Sequence, residues 1–256
     1  MQSDRNLLLK IDKQQQLINS NRPFTNENIL NLKEYYRVGL THSSNALEGN
    51  TLTLSETKVV LEDGITIGGK PLKDHLEAIG HGRAFDFMWN LAQNNKTITE
   101  SDIKTLHKYC VEPENPEIAG KYRMQSIYIS GTEHNDKIPT ADEVPGKMKE
   151  WAISLEKRRL VLHPVDFAIQ VHKELVQIHP FKDGNGRTAR LLMNLTLRQD
   201  GYPIVIIPSA VRHEYIQVLE NAWTNDQDFT RFIYERVDEA QRELIRNLHL
   251  TPQNQA

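Results

Sequence analysis

Apolar residues recur at helical spacing along nearly all of this 256-residue chain, with glycine and proline falling between the runs instead of building a repeat. The pattern predicts helices over about residues 5–20, 25–47, 55–63, 71–93, 100–112, 142–157, 164–178, 186–199, 209–223 and 228–248. Thr99 is set to cap the fifth, with Asp102 at the third helical position and Ile98 able to pack on Ile103. One stretch keeps a different period. In Ser126-Ile127-Tyr128-Ile129-Ser130-Gly131 the apolar positions alternate, and turn chemistry follows from Gly131 to Asp136 before Ile138-Pro139. The expected fold is therefore mainly α, a compact helical bundle with one small β-hairpin. A lone hairpin is marginal in water, so it must lean on helices or serve as a mobile cover.

The balance of 31 Lys and Arg against 34 Asp and Glu leaves a net charge of -3 and no basic field that would recommend nucleic acid. The basic run Lys157-Arg158-Arg159 reads as a solvated helix end. Cys110, the single cysteine, cannot form an internal disulfide and reads as a small buried apolar residue. Near the N-terminus the apolar run before Lys10 is three leucines, too short for a signal core or a membrane span. A cytoplasmic protein without a membrane segment is expected.

The chemistry concentrates between Pro164 and Arg190. Val165, Ala168, His172 and Leu175 share one helix face, and the same row continues to His179. Pro180 disfavours the α conformation for the residue before it, so His179 should stand at the helix end. Gly184-Asn185-Gly186 then gives a backbone free to turn its N–H groups toward one point, and a second helix begins. Its first turns carry Arg187 and Arg190 on one face. Cations there oppose the helix dipole at about 0.3–1 kcal/mol each, and an anion would reverse that sign. Convergent N–H groups, a helix N-terminus and two arginines suit a polyphosphate. Asp183 would be a liability beside phosphates unless a divalent cation lay between. Each feature alone has a plainer reading, as a tight helix connection, solvated arginines or a capping histidine; their conjunction within twelve residues favours the site.

His179-Pro180-Phe181-Lys182-Asp183-Gly184-Asn185-Gly186-Arg187-Thr188-Ala189-Arg190 resembles, without departure, the Fic signature HxFx(D/E)GNGRxxR. The resemblance extends to Ala119-Gly120-Lys121-Tyr122-Arg123 and Gly201-Tyr202-Pro203. It implies transfer of AMP from ATP to Ser, Thr or Tyr hydroxyls of proteins. His179 would be the general base and Phe181 a core anchor. Asp183 would ligate Mg2+, while Gly184, Asn185 and Gly186 would form the anion hole, with Asn185 also touching the α-phosphate. Arg187 would meet the departing pyrophosphate and Arg190 the γ-phosphate. The hairpin Ile127, Tyr128, Ile129, Ser130, Gly131, Thr132 would be the flap on which a protein substrate docks by strand addition. Tyr215 would line the adenine pocket or, on its plainer reading, serve as a core tyrosine. His172 reads as structural.

A second signal lies upstream. Ser44-Asn45-Ala46-Leu47-Glu48-Gly49-Asn50 ends a predicted helix, which puts Glu48 at the negative end of a dipole, where it calls for a cationic partner. The segment resembles the inhibitory motif of Fic proteins that carry an N-terminal autoinhibitory helix. The resemblance implies that Glu48 pairs with Arg190 and withholds it from the γ-phosphate. Residues 1–98 would then be an N-terminal helical region, 99–248 the catalytic core and 249–256 a polar tail with no further domain beyond it. A homodimer is a weaker expectation. Competing readings are removal of AMP with Glu48 orienting a water, transfer of phosphate or phosphocholine, and a nucleotide-sensing module with vestigial catalysis. A zinc hydrolase is disfavoured, since the sequence has no HExxH pair.

Overall fold

The computed structural model of the chain describes residues 2–93, 96–129 and 131–252. Its elements are α1 (Gln2–Ser20), α2 (Asn26–Ala46), α3 (Leu54–Glu62), α4 (Leu72–Gln93), α5 (Glu100–Val111), α6 (Val144–Arg159), α7 (Pro164–Ile178), α8 (Asn185–Gln199), α9 (Arg212–Asn221) and α10 (Gln227–Asn247), with short 3-10 turns at Asn135–Lys137 and Ser209–Val211. Each predicted helix has its counterpart, with ends displaced by a few residues.

Local chemistry accounts for several of these boundaries. Thr99 and Asp102 form a reciprocal capping box at the start of α5, and Ile98 and Ile103 are both buried beside it. Thr53 and Glu56 do the same for α3. Past the end of α2, Asn50 N–H reaches the Asn45 carbonyl and Gly49 N–H the Ala46 carbonyl, both at 3.1 Å. Gly49 holds φ +97°, the left-handed turn of a Schellman motif.

Two apolar clusters flank the α7–α8 pair and share it. One gathers Tyr36 and Leu40 of α2, Phe85 and Trp89 of α4, Ile103 and Leu106 of α5, with Phe167 and Leu192. The other joins Ile11 of α1 and Phe229, Phe232 and Val237 of α10 to Val165, Ile169 and Met193. α8 is therefore covered on all sides, with every residue from Arg187 to Leu197 buried. Because α4 shares a cluster with α5 and α8, residues on both sides of position 98 contribute to one core.

The expected hairpin is corrected here. Among the described residues the segment 124–139 has no strand ladder; the isolated bridge joins Tyr122 to Phe181 instead. The reason lies in Asn135. Its side chain accepts from Ile129 N–H at 2.8 Å and donates to the Ile129 carbonyl at 3.2 Å, taking both groups a returning strand would have used. The return arm itself coils into the 3-10 turn at Asn135–Lys137. Ser130, one of the expected flap residues, lies outside the described residues.

Candidate active site

α7 ends at His179, whose N–H still bonds the Leu175 carbonyl at 3.0 Å while its backbone turns left-handed at φ 49° and ψ 56°. A non-glycine residue in that region is uncommon and must be held there by its surroundings. Arg123 does much of the holding. Its Nε donates to the His179 carbonyl at 2.9 Å, its N–H meets the Pro180 carbonyl at 3.0 Å, and its other nitrogens reach the carbonyls of Gln125 and Pro139. Burial pushes the His179 imidazole down to about 4, Arg123 deepening the depression against a polar contact with the Val176 carbonyl. At neutral pH the ring is uncharged, as a proton acceptor must be.

The loop after His179 is tied from inside. Phe181 is fully buried and stacks on His107 of α5, with ring centroids 3.7 Å apart and planes 4° from parallel. Asn185 accepts from Phe181 N–H at 3.0 Å and donates to the Phe181 carbonyl at 2.8 Å. Each end of the amide thus holds the Phe181 backbone, while the second N–H of the carboxamide takes no part in that pair. Sequence reasoning missed His107. Its Nδ1 accepts from Gly120 N–H at 3.0 Å, so the ring proton sits on Nε2, which donates to the Asp183 carbonyl at 2.9 Å. Burial lowers its pKa to about 4, keeping that neutral tautomer. The one available signal was a polar residue on the apolar row Ile103, Leu106, Cys110.

α8 starts without a side-chain cap; Gly184 is its N-cap, at φ +75°. The first N–H groups of the helix lack intrahelical acceptors by geometry and face outward. A Cβ on Gly186 would stand 2.5 Å from Glu48 Oε1 and 3.0 Å from Arg190 Nη1, so a larger residue there would push the Glu48–Arg190 pair aside. Asp183 accepts from Gly184 N–H at 2.7 Å and stands 3.3 Å from Arg187 Nη2, with its side chain 58% exposed. No group of three His, Cys, Asp or Glu suited to a metal exists among the described residues.

The two arginines are held differently. Arg190, buried, donates through Nε to Ser44 Oγ at 2.9 Å and through Nη2 to the Ser44 carbonyl at 2.9 Å and Glu48 Oε1 at 2.7 Å. Its Nη1 meets the Tyr215 hydroxyl at 3.4 Å, and that hydroxyl lies 2.9 Å from His172 Nε2. Tyr215 is thus a buried partner of Arg190. Burial opposes the charge on Arg190, but Glu48 and Tyr215 more than offset it and the pKa rises. Burial would likewise raise Glu48, yet Arg190 brings it below the usual carboxylate range. Glu48 sits 39% exposed at the rim. Arg187 is 2% exposed and faces Glu77 of α4, another residue the sequence did not disclose, at 3.3 Å. Its Nε and Nη1 have no hydrogen-bond partner among the described residues.

Of the expected flap residues, Ile127 lines a cavity with Arg123 and Lys182 of the motif loop. Tyr128 is 89% exposed. Thr132 Oγ1 and Glu133 N–H both donate to Glu220 of α9, at 2.8 and 2.9 Å.

Residues 97–197 match the Fic/DOC family. The chain is 39% identical over 208 residues to a protein adenylyltransferase Fic of Nematostella vectensis, covering 79% of this chain and 47% of that protein. It is 37% identical over 209 residues to a protein adenylyltransferase Fic of Drosophila melanogaster, covering 78% and 40%. The chain thus spans less than half the length of these curated relatives. Among solved structures it is similar to residues 134–508 of Fic-1 from C. elegans, with TM-score 0.83 and 29% identity over 94% of this chain and 71% of that one. It is also similar to a Fic domain containing signaling protein from Bacteroides thetaiotaomicron, with TM-score 0.84 and 25% identity over 96% and 100%.

Proposed function

The chain contains a domain of the Fic/DOC family, residues 97–197, and from that premise we propose that it is a protein adenylyltransferase held in check by Glu48. The observation that carries the reading is one conjunction: an uncapped start of α8, two buried guanidiniums on its first turns, and a neutral imidazole at the end of α7. Together these suit a triphosphate next to a proton acceptor.

In the proposed reaction the hydroxyl oxygen of a target side chain attacks the α-phosphorus of ATP. An O–P bond forms, the bond to the bridging oxygen breaks, pyrophosphate leaves, and the hydroxyl proton passes to His179. The backbone N–H groups of Asn185 and Gly186 would hold the α-phosphate, Arg187 the departing pyrophosphate and Arg190 the γ-phosphate. Entry of that charge would raise the His179 pKa toward neutrality, where a base works best. Asp183 would hold Mg2+. One exposed carboxylate with oxygen donors fits a hard cation that takes its remaining ligands from phosphates and water. When bound, the ion supplies neutralising charge on the phosphate oxygens.

Regulation follows from the donors of Arg190. While Ser44 and Glu48 hold them, the γ-phosphate has no grip and ATP would lie out of line for attack. The protein substrate would dock along 127–132, with Tyr128 as its exposed contact. The single cysteine, Cys110, is free and buried, which suits a cytoplasmic setting. A homodimer is the assembly we expect.

A second reading rests on where Glu48 sits. Its carboxylate lies directly over Gly186, a position from which it could also orient a water to remove AMP from a modified protein. Incubation of Glu48→Gly and of Glu48→Gly with His179→Ala, each with Mg2+ and ATP labelled at the α- or γ-phosphate, separates the classes. Transfer predicts α-label on protein that is lost with His179. γ-Label alone would point to phosphorylation, and neither label to the reverse reaction or a sensing module.

A further inference from the structure

Glu77 lies on the buried face of α4, 4% exposed, and its two oxygens serve different masters. Oε1 stands 3.3 Å from Arg187 Nη1. Oε2 accepts from Asn50 Nδ2 at 2.8 Å. Asn50 is two residues beyond Glu48, and its Nδ2 also bonds the Asp74 carbonyl at 3.0 Å while its Oδ1 accepts from Leu52 N–H at 3.0 Å. One turn earlier on α4, Asp74 Oδ2 accepts both Thr51 N–H and Thr51 Oγ1, at 2.8 and 2.6 Å. Two carboxylates of α4 thus seize the chain just past the restraint, and one of them also faces a motif arginine.

We infer that Glu77 is a positioning residue for Arg187, fixing the guanidinium that would receive pyrophosphate and anchoring the root of the Glu48 segment through Asn50. The inference rests on the proposed role of Arg187 in the transfer reaction. Three observations separate Glu77 from Glu48, which engages the other arginine. First, Glu48 is at the rim, whereas the Glu77 side chain is 6% exposed and packed where it cannot swing clear. Second, Glu48 shares Arg190 with Ser44, so that Nε and Nη2 both donate within the protein. Arg187 instead faces Glu77 through Nη1 as an ion pair without a hydrogen bond, and its buried Nε has no hydrogen-bond partner among the described residues. Third, Lys73 approaches Glu77 at 3.7 Å and Glu114 at 3.5 Å, so cationic charge stands outside Arg187 as well. A carboxylate that orients a cation without using up its donors sets geometry; it does not block. The two acids should then have opposite effects on activity when neutralised.

The test is Glu77→Gln, which retains an oxygen acceptor for Asn50 and removes the charge facing Arg187. In a Glu48→Gly background, kcat for α-label transfer should fall by about ten- to a hundredfold, as expected when a group assisting the reaction is misplaced, with KM for ATP little changed. Glu77→Asp should recover part of the loss. In the otherwise wild-type full chain, calorimetric titration with pyrophosphate at a temperature where both proteins are folded should show weaker binding for Glu77→Gln than for wild type. That arm requires no catalysis, so it reads the inference even if Glu48→Gly transfers no label and the proposed function fails. Unaltered pyrophosphate affinity overturns the inference, as does Glu77→Gln raising transfer in the manner expected of Glu48→Gly.

Discussion

The α7–α8 junction and the segment 124–139 are neighbours, both held through Arg123, yet they are built on opposite plans. In the junction, residues 179–190 are shaped by buried contacts from three directions: Phe181 under His107, Asn185 bridging the Phe181 backbone, and His179 twisted left-handed beneath Arg123. In the segment, Met124 and Tyr128 stand almost fully exposed and an asparagine side chain replaces a strand partner. Chemistry at a phosphorus atom needs groups fixed to within a fraction of an ångström, and packing supplies that. Arg123 joins the two plans, since one guanidinium bonds the His179 carbonyl and both ends of the segment.

The contrast predicts a graded set of effects. Phe181→Ala empties the centre of the junction and should cost about 3–5 kcal/mol of stability by denaturant melt; a loss of under about 1 kcal/mol would mean the loop is not held from inside. Asn185→Ala strands the N–H and carbonyl of Phe181 and should cost about 1–3 kcal/mol, with nucleotide binding impaired as well. Acid should act on the junction too. Burial holds His179 and His107 near about 4 and His172 near about 3, below the unfolded value of about 6.5. Between those values the unfolded chain binds more protons, so stability is full above pH of about 6.5 and falls progressively as pH drops toward about 4. NMR titration should find these rings neutral at pH 6, and His179 should move upward when nucleotide is added. Tyr128→Ala should shift stability by no more than about 0.5 kcal/mol while raising KM for a protein substrate. A large stability loss there would erase the contrast.

How much of this could be read beforehand follows the same division. The ten α-helices of the described residues declared themselves through apolar spacing, and Thr99 with Asp102 marked a boundary outright, because those signals are local. The motif residues and Glu48 were legible as types with a chemistry. Their supporting partners were not: His107 reaches Asp183 across 76 positions, and Glu77 meets Arg187 from another helix. Such contacts leave no periodic trace. The hairpin reading failed for a related reason, since alternation at Ile127 and Ile129 reports an extended chain and says nothing of whether a strand or the Asn135 amide will satisfy it.

The central claim is that Arg190 is withheld by Glu48, and it is tested most directly by α-label transfer from ATP in Glu48→Gly against wild type, with ATP binding measured for both. The account predicts a strong rise in labelled protein at similar occupancy. Equal labelling, with nucleotide bound by both proteins, would contradict it.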